Sequence, residues 1–425
     1  MSCGADPDSS DLTDPTQPPD QPPTQEPWPE PVFDPSEFPL SVPTLNITIA
    51  DGDRALLEND PYGASDVMGS FTDENGDVFE NVEVNFRGAY ALRNLINSGQ
   101  RRNWKVKFNK TDMYKNRREW NFNYEPHLRQ KLAYDLMRFA GVRSAKPQHV
   151  LLSINGEPQG LYLQYEDLDN TEWLKENFSD DDGDLYKAGY DLPDDIPGRR
   201  FSELTFLGED NDIYFGSYNK KKTKDNVAKT DNTSIKEFTR ELGSIPDEDI
   251  PGFFENNVVV DRLISYLVVA SFISHWDSYP YRPKNYWFYQ NPDDDRWSML
   301  PWDLDGAFAE SALGIPNWGI EADLFFQYDQ YDAYTHRDDE GRERPFVRRL
   351  MRHDEYRQAY LARYRELMTT LFSAEYLEPR VNDLQNLVRP VASPEDQVKL
   401  DNNLNDLTRF IRDRRQNVTN QLTNL

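Results

Sequence analysis

The chain is poor in the residues that build disulfide scaffolds and thiolate metal centres. It has one cysteine, Cys3, and five histidines in 425 residues. A single cysteine excludes an internal disulfide and any cysteine-rich zinc site. Basic residues are also scarce, 47 against 75 acidic ones, which gives a net charge of −28. Binding nucleic-acid phosphates requires basic patches, so nucleic acid is not an expected partner. Loose adhesion to anionic lipid is excluded on the same ground. An acidic surface of this kind suits solubility or a basic protein partner. No apolar run approaches the ~20 residues needed to cross a bilayer. No internal repeat is present.

What is there supports a real core: 37% of residues are hydrophobic and 13% aromatic. The length suggests two or so domains, or one two-lobed domain with a tail. Residues 1–38 are low-complexity and rich in proline and aspartate, so they read as a disordered, extended linker. Cys3-Gly4 followed by this tract resembles the start of a mature bacterial lipoprotein, with an acylated cysteine and a tether. That resemblance implies an extracytoplasmic protein, at the cell surface or secreted, its signal peptide removed and Cys3 offering a membrane tether.

The globular part begins near Leu40. Residues 45–49 alternate and are β-branched, which predicts a strand. A second strand region covers 78–87, with Val82, Val84 and Phe86 on one face, and ends at Arg87-Gly88. Residues 104–108 form a third, with Lys105 and Lys107 on one face and Trp104, Val106 and Phe108 on the other. The apolar spacing of Leu128, Leu132, Ala133, Leu136, Met137 and Ala140 predicts a helix over 126–140, with Pro126 in its first turn and Gly141 closing it. Strands at 149–154 and 160–165 flank a hairpin signalled by Asn155-Gly156. Residues 170–255 carry weaker signals. Within them, Asp180–Asp184 and Lys220–Lys224 read as solvated loops. An apolar helix over 258–273 leads to His275-Trp276-Asp277. From Pro345 the chain reads as mainly helical, ending in a helix over 393–423 with Ser393 as N-cap and Pro394 in the first turn. Strands with one helix first, then mostly helix, give an α+β chain in two lobes: 39–170 and 171–425.

Residues 271–310 hold the densest chemistry. Asp277, Asn285, Asp303 and Asp305 stand at the ends of apolar runs, where a fold can hold hard oxygen ligands at the rim of its core. Such ligands suit Mg²⁺ or Mn²⁺ carrying a phosphate. Phosphoryl transfer needs a cation on the nucleotide phosphates, a carboxylate and an amide on the metal, and a carboxylate to take the proton of the attacking hydroxyl. The strand lysines, Glu166 after the hairpin, and this stretch supply those types. His275 reads as a core residue.

These motifs, in this order, resemble the CotH (spore coat protein H) family of atypical protein kinases. The matching stretches are 104–108, Leu151–Gly156 with Gly160–Leu163 and Glu166, Leu185-Tyr186-Lys187, His275-Trp276-Asp277 with Asn285, and Pro301–Asp305. They cover nearly the whole globular part. The resemblance implies a two-lobed atypical kinase-like fold, with a β-rich nucleotide-binding N-lobe and a mainly helical C-lobe. It implies metal-dependent transfer of the ATP γ-phosphate to a protein Ser/Thr acceptor, basic or Ser-rich, by a monomeric chain. Lys107, or its face-mate Lys105, would contact the nucleotide phosphates, with Arg87 also reaching them. Glu166 would lie near the adenine. Asp277 would be the catalytic base. Asp303 would be catalytic through the metal, holding it with Asn285 and Asp305. The 126–140 helix has no internal glutamate to pair with the strand lysine; Gln130 and Asp135 are its nearest substitutes.

Three other readings compete. Some CotH-like proteins are surface adhesins or pseudokinases, which the tether and acidic surface also fit. Kinase-fold enzymes also carry out other ATP-dependent transfers, such as nucleotidylation or amino-acid ligation. Residues 298–306 resemble the first motif of haloacid-dehalogenase-type phosphatases, with Asp303 as nucleophile and Asp305 as acid. That motif normally opens its domain, whereas the residues after Gly306 lack the β-α alternation such a domain needs.

Overall fold

The computed structural model describes residues 40–425 except 62, 89–100, 125–127, 189–201, 224–227, 282, 311–318 and 326–343. The expected linker with Cys3, Pro126, and Lys224 of the basic run lie outside the described residues.

Period-two alternation sets the first layer. β1 (Thr44–Ile49) buries Leu45, Ile47 and Ile49, and β3 (Val78–Phe86) buries Val82, Val84 and Phe86. β4 (Trp104–Lys107) buries Trp104 and Val106 and turns Lys105 and Lys107 outward. Together with β2 (Val67–Thr72), β5 (Glu119–Tyr124), β6 (Gln148–Ile154) and β7 (Glu157–Glu166), they close a barrel in the order β1-β2-β3-β4-β5-β7-β6. The β6–β7 turn has Asn155 at φ 54° and Gly156 at φ 78°, the left-handed pair that a tight hairpin requires. The Asn155 amide accepts from the Ile49 N–H and donates to the Ile49 carbonyl, both at 2.9 Å, and so pins the hairpin to the end of β1. A short helix, α1 (Asp51–Asn59), follows β1.

The barrel has its own apolar interior, and its outer face supports the rest of the protein. Tyr162 of β7 packs inside the barrel, while Leu161, Leu163 and Tyr165 of the same strand join a second, larger core. α2 (Arg129–Phe139) belongs to that larger core, with Leu132, Ala133, Leu136 and Met137 fully buried and Gly141 (φ 83°) ending it. A helix encoded among the barrel strands thus packs with the helical half.

The second half is built on a four-stranded sheet in the order β11-β10-β8-β9. Its strands are β8 (Asp184–Ala188), β9 (Tyr218–Lys222), β10 (Tyr286–Gln290) and β11 (Trp297–Pro301). This corrects two expectations. Asp184 opens β8 and Lys220 sits in β9; both are buried, with Lys220 Nζ 2.9 Å from Asp184 Oδ2. Each charge is tolerated inside because the other lies on the neighbouring strand, a pairing that local sequence cannot reveal.

Helix α3 (Thr171–Asn177) precedes β8, and α4 (Thr233–Ser244), α5 (Ile250–Asn257) and α6 (Val260–Phe272) lie between β9 and β10 in sequence. α6 is apolar on every side and is buried almost throughout, as such a helix must be. α7 (Pro345–Leu350), α8 (Asp354–Thr369), α9 (Ala374–Val388) and α10 (Pro394–Asn424) complete a mixed α+β chain, sheet-rich first and helical later. Ser393 caps α10 by accepting the Asp396 N–H at 3.1 Å. Asp396, fully buried, then accepts from Arg101 at 3.0 Å, the Tyr124 hydroxyl at 2.7 Å and the Leu161 N–H at 3.2 Å. The last helix is thereby clasped to the barrel. Among the described residues, no helix is long and apolar enough to cross a membrane.

Candidate functional site

The outer face of the barrel carries a charged cluster. Lys105 projects from β4 onto Glu119 of β5, with which it forms an ion pair, and lies 3.8 Å from Asp167 just past β7. Glu119, Asp167 and Asp169 each bring a carboxylate oxygen within 4.8 Å of the others. Burial alone would raise the Asp167 carboxyl, but Lys187, Lys105 and Arg87 outweigh it and hold the group below its ordinary range. Asp169 goes the other way: burial, then the neighbouring charges of Asp167 and Glu119, push it up to about 6. The lysine itself is lowered by burial and raised more by Asp167 and Glu119, so it stays charged.

Two expected residues are not in this cluster. Lys107 is ion-paired with Glu83 on its other neighbouring strand. Glu166 points to the opposite side from Tyr165 and Asp167, as strand alternation requires. It is buried, accepts the Lys146 N–H at 3.2 Å, and has its carboxyl raised by burial. Its role here is to hold the backbone before β6; the carboxylate that faces the cluster is Asp167. Neither substitute named from sequence for a lysine partner is paired with Lys105. Asp135 is buried between Lys131 and Arg380, and Gln130 is fully buried in α2. Glu119, from a strand rather than a helix, is the partner.

Arg87 bridges from the barrel to the second half. Its guanidinium donates to the Asn123 side chain and to the Tyr165 hydroxyl, and it lies in the electrostatic field of both Asp303 and Asp167. Tyr165 packs edge-on to Trp302, 5.5 Å between ring centres, and Trp302 packs on Trp287 at 5.4 Å. Lys187 of β8 places its ammonium 5.1 Å from the Trp302 ring centre and 5.3 Å from that of Trp287, within cation–π reach of both.

Asp303 follows Trp302 at φ 54°, ψ 60°, a left-handed conformation that aspartate tolerates better than most residues. Its N–H donates to the Tyr134 hydroxyl of α2 at 3.1 Å, and no donor sits on its carboxylate among the described residues. Asp305 is exposed in the turn Leu304–Gly306. His275 is fully buried and its pKa is drawn down to about 4 by burial, partly opposed by Asp303, so it is neutral at pH 7. Asp277 is nine-tenths buried. Its Oδ2 accepts from Lys284 at 2.7 Å and from the Asn285 amide at 2.9 Å, and the same amide reaches the Asp277 carbonyl at 2.8 Å. Asn285 therefore spends its nitrogen on Asp277, leaving its Oδ1 as the one atom able to meet a cation.

A chain of electrostatic interactions thus runs from Lys105 and Lys187 through Asp167 and Arg87 to Asp303, and from there by His275 and Lys284 to Asp277. Sequence reasoning missed Glu119, Asp167, Asp169, Lys187, Lys284 and Tyr134 as members. The period of two along β7 and its extension was the available signal for Asp167. The oxygens of Asp303 and Asn285 are hard donors without a competing N–H, which fits Mg²⁺ or Mn²⁺.

The sequence profile described as CotH kinase protein matches residues 84–418. The chain belongs to the CotH kinase family. The match starts in β3 and ends in α10, so it includes every residue of the electrostatic chain just described. Inner spore coat protein H of Bacillus subtilis (strain 168) is 22% identical over 336 residues, 78% of this chain and 82% of that protein.

Proposed function

We propose that this CotH-family chain is an ATP-dependent phosphotransferase acting on a protein hydroxyl. The barrel would serve as the nucleotide-binding lobe and the helical half as the catalytic lobe. The observation that carries the reading is the convergence of Lys105, Arg87 and Lys187 on Asp167, with Arg87 also in the field of Asp303 and Asp277 held by Lys284 and Asn285. Three cations suit a polyphosphate, and the buried, edge-on Trp302–Trp287 pair backs Lys187. Asp303 and the Asn285 Oδ1 would hold a divalent ion, with Asp305 close by in sequence; when bound, that ion neutralises developing charge on the phosphates.

In the reaction, an acceptor Ser or Thr oxygen forms a bond to the γ-phosphorus while the bond to the β–γ bridging oxygen breaks. ADP leaves with that electron pair. Asp277 takes the hydroxyl proton. The neutral His275 beneath Asp303 packs the site and carries no proton in the transfer. The relative's name favours a location outside the cytoplasm, at a coat or cell surface.

The test is incubation with γ-labelled and α-labelled ATP in Mg²⁺ or Mn²⁺, beside Asp303→Ala. Label from the γ position alone, lost in the variant, is the expected result. α-Label incorporation would replace phosphorylation by nucleotidyl transfer. Absence of any nucleotide-dependent thermal shift would leave a non-catalytic binding protein.

A further inference from the structure

The two charges first read as solvated, Asp184 and Lys220, lie at the base of a cavity of about 380 Å³ between the second sheet and α4. It opens on the opposite face of that sheet from Lys187. Successive β8 side chains alternate, so Tyr186 turns toward α4, where its hydroxyl meets the Ser234 hydroxyl at 2.9 Å, while Lys187 turns toward Trp287 and Trp302.

The lysine is already committed. Its side chain is 1% exposed, and its Nζ lies 2.9 Å from Asp184 and donates to the Asp231 carbonyl at 2.7 Å. Asp184 also accepts from the Ser234 hydroxyl. The base of the cavity is thus closed on itself.

What remains is a wall of acceptors. Asp231, Glu237 and Glu241 contribute carboxylates, and Glu237 and Glu241 are exposed on α4. The Gln290 Oε1 is buried with no donor on it. The Asn257 amide nitrogen is spent on the Phe253 carbonyl at 2.9 Å, which leaves its oxygen. Phe238 and Trp297, 5.4 Å between ring centres, pack behind these groups, nearly fully buried, and shape the cavity without opening a ring face to it.

We propose that this cavity binds an arginine side chain of a basic polypeptide partner. A guanidinium is always charged and carries five N–H donors in a fixed planar fork, so it can pair with two carboxylates at once while meeting amide oxygens on the walls. An ammonium answers the charge but not the plane. A bare metal ion fits poorly: among the described residues, the acidic groups that converge tightly enough to hold one lie elsewhere, at Glu119–Asp167–Asp169 and Asp180–Asp182. Free arginine would bring its own carboxylate against the acidic rim, whereas a peptide-linked arginine has none. The net charge of −28 favours a basic partner, and Asp231, Glu237 and Glu241 place part of that charge at this cavity. Because the sheet separates the cavity from Lys187, the partner and the ligand of the other face can be held together.

Calorimetric titration of the full chain tests this with three probes: N-acetyl-arginine N-methylamide, its lysine counterpart, and free arginine. Saturable one-site binding is expected, at least tenfold tighter for the arginine amide than for the other two. Glu237→Gln with Glu241→Gln changes exposed residues and should leave the melting temperature unchanged while weakening that binding at least tenfold. Equal affinity for the lysine probe, unchanged binding in the double variant, or no saturable binding would each overturn the proposal. None of these outcomes depends on phosphoryl transfer.

Discussion

Replacing Lys105 with methionine separates the two strand lysines that share a face of β4. Its Nζ is 3.8 Å from Asp167 Oδ2 and it is ion-paired with Glu119. At an effective dielectric of ~20, a unit pair at such a distance is worth roughly 4 kcal/mol. About a third of the lysine side chain is exposed (35%), so screening reduces this to about 1–2 kcal/mol. Losing a charged hydrogen-bond donor to a phosphate costs about 1.5–3 kcal/mol, or roughly 10–100-fold in Kd. Lys107→Met removes only the partly exposed pair with Glu83, and should cost under about 0.5 kcal/mol with no loss of nucleotide affinity. Titration of ATP with Mg²⁺ into each variant, beside urea unfolding at pH 8 and pH 5, reads both effects. The Lys105 variant should lose stability at both pH values, because Asp167 is held below its ordinary range and stays charged, and somewhat more at pH 8, where Asp169 is charged as well. Equal loss of nucleotide affinity in the two variants, or a larger loss for Lys107→Met, would refute the assignment of Lys105.

Two further predictions concern stability. Asp169 titrates near 6 in the folded chain against ~3.9 unfolded, so ionising it costs stability as pH rises through that window. Asp169→Asn should therefore be more stable than the parent by about 1–2 kcal/mol at pH 8, allowing for its partial exposure, and no more stable at pH 4, measured by unfolding at both. Gly160 sits at φ 98°, and a Cβ there would lie 2.4 Å from both the Arg101 guanidinium and the Asp396 carboxylate. Gly160→Ala should cost about 3–5 kcal/mol in urea unfolding, because the left-handed backbone is strained and the buried Asp396 loses its cation; a cost below about 1 kcal/mol would show that α10 is not clasped there.

The barrel strands and the long helices were legible because their signals are local. Alternation at 82–86 and 104–107, the Asn155-Gly156 turn and the Ser393-Pro394 start each follow from backbone rules that act over a few residues. The misreadings share a different cause. Lys220 and Asp184 are 36 residues apart in sequence, and each looks like a surface charge until β9 is laid beside β8. Glu166 and Asp167 are adjacent, and which of them faces the cluster depends on the register of β7 against β5, where Trp120 opposes Glu166. Lys105 finds Glu119 on a neighbouring strand because no helix brings it a carboxylate. Charges were therefore recognised by type, but their partners were fixed by sheet pairing, which composition and periodicity do not encode.

The same dependence on assembly explains why residues 271–310 hold so much backbone strain. Of the ten non-glycine residues at positive φ among those described, Ser274, Asn285, Asp295, Asp303 and Phe308 fall in this one stretch. Such conformations cost of order 1–3 kcal/mol each and persist only where the surroundings over-determine them. Here they are held by long-range bonds: the Phe308 N–H on the Ile273 carbonyl at 2.6 Å, the Trp302 N–H on the Asn285 carbonyl at 3.1 Å, and the Asp303 N–H on Tyr134. The segment from Asp277 to Asn285, with Pro280 and Pro283 inside it, returns both Lys284 and Asn285 onto the Asp277 carboxylate. Asp295 serves only the β10–β11 turn, but the strained backbone at Asn285 and Asp303 is what aims those two side chains. Asparagine and aspartate tolerate the left-handed region better than most residues, so Asn285 and Asp303 hold these turns at modest cost. On the proposed function, the side chains those turns present are the amide and the carboxylate that would meet the cation.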